Sequence, residues 1–272
     1  MRRRRGADVP QAGGAGDAVA DHAARRTVYG LYAVRNVIAR RPDAIESAKM
    51  LDSAVGKSLA QLAHRLEKLG VRVERVPRAW LDRLCDGGRH QGVALQVRAS
   101  PEFELPDFEA LVIERSPELR VLVLDQVQDP RNLGACLRTS DAAGVDVVVA
   151  PRANSARLTP AAVKAAAGAA ELVPLLRAVN LARTLRWLKD AGVWVVGTDG
   201  DADRSIYETE LRPPIALVVG GEGRGLRRLT RERCDELVRI PMRGGIESLN
   251  VSVAAGIALF ELDRQIRARG LQ

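Results

Sequence analysis

The chain has 272 residues, 46% of them apolar, with a formal net charge of +8 and a sequence pI near 10. That is room for two modest domains. No stretch approaches the roughly 20 apolar residues of a membrane span, so a soluble protein with no membrane partner is expected. Cys85, Cys136 and Cys234 are scattered and form no Cys-x-x-Cys pair, which argues against a disulfide framework or a zinc knuckle, supplies no metal site and fits a reducing cytoplasm.

A positive balance favours a polyanion, nucleic acid above all. The excess is spread along the chain: six basic and three acidic residues in 1–26, 14 and 12 in 27–117, 22 and 19 in 118–272. Aromatic residues make up only 3% and are dispersed. An RNA partner would therefore be held by backbone and shape contacts rather than by stacked rings.

Residues 1–26 open with Arg2 to Arg5 and continue through Gly, Ala and Asp. They have little to bury, which predicts a disordered basic tail. They also lack the apolar centre of a secretory signal. Residues 27–98 read as a small α/β domain. Helices are expected at 28–39 and 79–84, and a third at 59–69, where apolar positions 59, 62, 66 and 69 form a stripe ended by Gly70. Strands are expected at 71–76 and 92–97. Residues 99–118 carry three prolines and many acids and read as a linker with a short helix at 108–113.

From 119 onward, strand and helix alternate. The strands are expected near 120–125, 145–150, 193–197, 215–219 and 236–240. The helices are expected near 132–143, 159–168, 180–191, 225–233 and 250–268. Short, almost wholly apolar strands between helices imply a mostly parallel sheet covered on both faces. Ligands of such sheets bind beyond the carboxyl ends of the strands.

Three strand ends carry unusual residues. The first is Leu-Asp-Gln-Val-Gln-Asp-Pro-Arg-Asn-Leu-Gly-Ala-Cys-Leu-Arg over 124–138, where Asn132 is placed to cap a helix and Arg138 lies 1.7 turns beyond it. The second is Val-Val-Gly-Gly-Glu-Gly-Arg-Gly-Leu over 218–226, four glycines in six residues with Glu222 as the reaching side chain. It is neither a P-loop nor a dinucleotide fingerprint. The third is Ile-Pro-Met-Arg-Gly-Gly-Ile-Glu-Ser-Leu-Asn over 240–250, which sets Ser248, Asn250 and Ser252 at a helix start. One of these three is expected to serve only as the N-cap.

Together, and in this order, the three segments resemble the SpoU/TrmH family of RNA ribose 2′-O-methyltransferases within the SPOUT class. Tyr-Gly-Leu-Tyr-Ala-Val over 29–34 and His-Gln-Gly-Val over 90–93 resemble the substrate-binding domain of one branch of that family, which methylates a guanosine of bacterial 23S ribosomal RNA. The branch commonly has His where this chain has Tyr32, and the family's first motif usually has Ala where Ser140 stands.

The resemblance implies a C-terminal α/β domain threaded as a trefoil knot, preceded by a small α/β domain with a ribosomal-protein-like fold. It implies S-adenosylmethionine as cofactor, held by Gly220, Gly221, Ile240, Met242 and Leu249. It implies Asn132, Arg138, Glu222, Ser248 and Asn250 as catalytic residues, and a homodimer formed through the knotted domain. It further implies a guanosine in the peptidyl-transferase P loop of 23S rRNA as target. The competing readings are a tRNA guanosine 2′-O-methyltransferase, a catalytically inactive RNA-binding SPOUT module, and a nicotinamide oxidoreductase. Cys136 is expected to serve helix packing. His90 is left open between an RNA contact and a structural histidine.

Overall fold

The computed structural model describes residues 25–53, 56–98, 103–221, 223 and 225–270. The expected disorder of 1–24 therefore lies outside the described residues. Arg25 and Arg26 do not belong to a tail, because they open the first strand.

The first unit is a four-stranded sheet. It comprises β1 (Arg25–Tyr29), β2 (Ile45–Leu51), β3 (Val73–Val76) and β4 (Val93–Arg98), in the order β1-β4-β2-β3. Only β2 and β3 pair in parallel. Helices α1 (Leu31–Arg40) and α2 (Lys57–Lys68) bury Val34, Val37, Leu62 and Leu66 against it. Helix α3 (Arg78–Leu84) packs Leu81 with Ala94 and Val76 in a separate cluster.

Two sequence expectations change here. The start of the expected helix 28–39 is strand β1, and Gly30, at φ +91, separates it from α1. Strand β2 is not signalled by the sequence, because a register shift between Ile45 and Ser47 interrupts the two-residue alternation that marks a half-buried strand.

The segment expected to be a linker forms helix α4 (Leu105–Arg115), longer than the short helix anticipated at 108–113. Glu104 and Asp107 make a reciprocal capping box at its start. Its Phe108 and Val112 are buried in the core of the second unit, Phe108 lying 5.6 Å from the Trp187 ring. The linker is thus part of the second core.

The second unit is a seven-stranded sheet of β5 (Arg120–Asp125), β6 (Val147–Pro151), β7 (Leu175–Ala178), β8 (Trp194–Thr198), β9 (Arg204–Ser205), β10 (Ile215–Gly220) and β11 (Glu236–Arg239). Their order is β7-β6-β5-β10-β8-β11-β9, and every pair is parallel. Alternate strand residues feed two cores. Leu122, Leu124 and Leu217 face helices α5 (Pro130–Ala142) and α9 (Val251–Ala268). Val121, Val123 and Ala216 face α4 and α7 (Leu181–Asp190). Burial on both faces explains why these strands read as unbroken apolar runs.

Helix α6 (Pro160–Ala166) is shorter than expected, because Ala167 and Gly168 both adopt positive φ and a 3-10 turn, Ala169–Glu171, follows. Helix α8 (Arg228–Arg231) also starts late, since Gly225 at φ +61 cannot enter a right-handed helix. No helix among the described residues is long and apolar enough to cross a membrane.

Candidate active site

Because β5, β10, β8 and β11 run in parallel, their carboxyl ends share one edge of the sheet. Asp125 and Gly220 are register partners there. Gly220 and Ile240 leave the edge two strands apart, about 10 Å at the usual strand spacing.

The Asp125 carboxylate is fully buried and accepts from the Arg227 backbone N at 2.9 Å and its Nε at 2.7 Å. This pair ties the end of β5 to the end of the glycine turn, and sequence reasoning did not single it out. The signal was an acid closing an otherwise apolar strand: a buried carboxylate requires a partner.

The turn folds back on itself, with Gly221 bridging Gly225. A Cβ on Gly220 would lie 2.2 Å from the carbonyl carbon of Gly225, and one on Gly221 would lie 2.5 Å from the Gln126 carbonyl oxygen. Only glycine fits at these two positions, which leaves bare backbone at the edge. Glu222, the side chain expected to act from this turn, lies outside the described residues.

The first and third segments meet directly. Asn250 Nδ2 donates to Asn132 Oδ1 at 3.0 Å, across 118 residues of chain. Asn132 is not the cap of α5. Asp129 is, accepting from the Arg131 N at 2.7 Å, because Pro130 takes the first helical position. Asn132 thereby falls in the first turn, where its side chain meets Asn250 rather than capping the helix.

Asn250 is the N-cap of α9, its Oδ1 accepting from the Ser252 N at 2.9 Å and Oγ at 2.6 Å. It serves as cap through the oxygen and as link to Asn132 through the nitrogen. Ser248 and Met242 lie exposed in the loop between, Leu249 is half-buried, and Ile240 packs on the core beneath α5 and α9. No backbone–backbone hydrogen bond among the described residues involves 241–249, so the loop's donors and acceptors are unclaimed.

Arg138 is exposed on α5 and makes no side-chain bond or ion pair among the described residues. Arg131 lies two turns earlier on the same exposed stripe. Beside them runs the loop after β6, joined to the β5 loop by Ala156 N donating to the Val127 oxygen at 2.8 Å. Arg177 staples this loop through the carbonyls of Arg152, Ser155 and Ala156. Burial and the neighbouring Arg157 charge hold Arg177 below the usual guanidinium pKa. Arg152 and Arg157 point outward with no side-chain partner among the described residues. A rim of unpaired guanidiniums at a sheet edge suits phosphates.

The remaining candidates are structural. His90 is buried; its Nδ1 accepts from the Gly92 N at 3.1 Å, which leaves Nε2 to donate to Asp82 at 3.0 Å. Burial pushes the Cys136 thiol up to about 12, as packing rather than reactivity requires. Among the described residues no three His, Cys, Asp or Glu side chains cluster to hold a metal.

Comparison with known proteins identifies the family. The model of the SpoU rRNA Methylase family matches residues 119–260, and that of the RNA 2′-O ribose methyltransferase substrate-binding domain matches residues 27–103. The 23S rRNA (guanosine-2′-O-)-methyltransferase RlmB of Photorhabdus laumondii is 49% identical over 241 residues, covering 88% of this chain and 97% of its own. A crystal structure of an RNA 2′-O ribose methyltransferase superposes with a TM-score of 0.71 at 28% identity, covering 92% of each chain. An AdoMet-bound rRNA methyltransferase from Sinorhizobium meliloti does so with 0.68 at 26% identity, covering 90% of this chain and 89% of its own. With both sheets matched and a relative of near half identity along almost its whole length, the chain belongs to the SpoU rRNA methylase family.

Proposed function

We propose that this protein transfers a methyl group from S-adenosylmethionine to the ribose 2′-hydroxyl of a guanosine in 23S ribosomal RNA, the peptidyl-transferase P loop being the target. The observation that carries the reading is the Asn250–Asn132 bond, which closes the first and third segments at the sheet edge that also carries the glycine turn. The tRNA and inactive-module readings are not favoured, because the full-length relative is named for 23S rRNA.

The residues present fit the methyl donor. Gly220 and Gly221 form a cradle that any Cβ would fill, and the 241–249 backbone makes no backbone–backbone hydrogen bond among the described residues. Gly220, Gly221, Ile240, Met242 and Leu249 are the residues assigned to hold it. When bound, the donor supplies an electrophilic sulfonium methyl.

The protein's part is then to orient the ribose and ease loss of its proton. Asn132, oriented by Asn250, is placed to hold the sugar. Removing a proton from a free guanidinium at pH 7 costs roughly 7–9 kcal/mol. Arg138 is therefore assigned to the adjacent phosphate, where its charge lowers the pKa of the hydroxyl. Ser248 and Glu222 are kept as catalytic candidates on their motif positions. The rim of Arg131, Arg152 and Arg157 carries the flanking phosphates.

Helix α9 leaves Val253 and Phe260 half exposed, an apolar surface suited to a homodimer through the C-terminal unit. A cytoplasmic location follows from a ribosomal RNA substrate. Incubating the protein with a 23S fragment and labelled donor, then sequencing digests by mass spectrometry, tests the reading. One ribose-methylated guanosine is expected, and it should vanish when that nucleotide is 2′-deoxy. Methylation of a base instead would overturn the assignment.

A further inference from the structure

The two units are joined by more than the connecting chain. Glu171 ends the 3-10 turn after α6, and its side chain is 1% exposed. Its two carboxylate oxygens accept from Arg26 of β1 and Arg41 beyond α1, each at 2.7 Å. Both arginines belong to the first unit and Glu171 to the second.

Around this clamp the contact continues. Arg40 pairs with the nearly buried Asp141 carboxylate at the end of α5, at 3.0 Å. Lys164 of α6 reaches the Asp86 carbonyl at 3.0 Å. Gly168 sits so close that a Cβ there would stand 2.5 Å from the Ala33 Cβ. A buried carboxylate divided between two guanidiniums is directional, and removing either side leaves uncompensated charge.

We propose that Glu171 is a positioning residue that locks the RNA-holding unit in one orientation against the methyl-transfer edge. The proposal rests on the methyltransferase reading above. An RNA held by residues 25–98 reaches the edge only when that unit is docked, so the apparent affinity falls with the docked fraction.

Two variants approach the clamp from opposite sides, Glu171→Gln and the double variant Arg26→Gln/Arg41→Gln. Each should raise the KM for a 23S fragment about tenfold or more, leave kcat within twofold, and leave methyl-donor Kd unchanged by calorimetry. Small-angle scattering should show a larger radius of gyration. Combined, the two sets should lose no more than either alone, because they break one interaction. An unchanged RNA KM, additive losses, or a parallel loss of donor binding would each overturn the lock, the last by showing that Glu171 only shapes its own turn. If the wild type methylates no RNA, the functional reading fails, while the scattering comparison still decides the lock.

Discussion

The exposed arginines beside the carboxyl sheet edge differ in one respect from those of the seam between the units, and also from Arg227 and Arg177, which are paired within the edge itself. At the seam, Arg26, Arg40 and Arg41 end on carboxylates that are buried or nearly so. At the edge, Arg131, Arg138, Arg152 and Arg157 end on nothing among the described residues. A paired guanidinium fixes geometry, whereas an unpaired one is held ready for an anion that is not part of the fold. The same residue type is used in one region to define an orientation and in the other to present exposed charge.

The sharpest way to break that contrast is Arg138→Lys, which keeps the charge and removes the planar fork. Turnover on 23S RNA should fall by about 10²–10³-fold with melting temperature unchanged; near-normal turnover would reduce Arg138 to another rim charge. Next in size is Gly220→Ala. Its new methyl meets backbone that cannot step aside, so a loss of about 1–3 kcal/mol of stability is expected, together with weakened donor binding, read by denaturant titration and calorimetry.

Reversing the rim with Arg152→Glu and Arg157→Glu should flatten the salt dependence of RNA binding by about 1.4 in log–log slope, at 0.7 per single-strand phosphate. The same exchange at the paired Arg204, whose partner is Glu236, should leave the slope alone. A smaller effect is expected at Ser140, fully buried with its hydroxyl unpartnered among the described residues. Ser140→Ala should raise stability by up to about 1 kcal/mol.

The weakest handle is pH. Burial lifts Cys85 to about 11 and Cys136 and Cys234 to about 12, against an ordinary 9.0. The folded state thus keeps thiol protons that the unfolded chain releases. This stabilisation is complete below about pH 9 and is lost as pH rises through the folded values. A Cys136→Ala variant should show a shallower fall of melting temperature above pH 9, and alkylation at pH 7.5 should leave activity intact.

Much of the site was legible because its residues are chemically conspicuous. The four glycines of 220–225 and the polar cluster of 248–252 stand out from apolar surroundings, and Asn132 with Arg138 follows an apolar strand. Strands β5, β6, β8 and β10 were readable because burial on both faces demands nearly unbroken apolar runs. Strand β7 was not: it is a four-residue edge whose Arg177 points to loop carbonyls rather than into a core. Nor was the cap of α5, where Asn132 looked suitable until Pro130 fixed the helix start at Asp129.

The sequence by itself determined the alternation of strand and helix, the glycine turn and the identity of the polar groups, because these depend on local propensity and on apolar periodicity. Only the tertiary structure decided that Asn250 reaches Asn132, that Asp125 holds Arg227, and that Glu171 receives two arginines from the other unit. Those pairings join residues between 102 and 145 positions apart. Local propensity carries no information at that range, and partners are selected only when packing brings distant polar groups within reach and strips water from the buried ones.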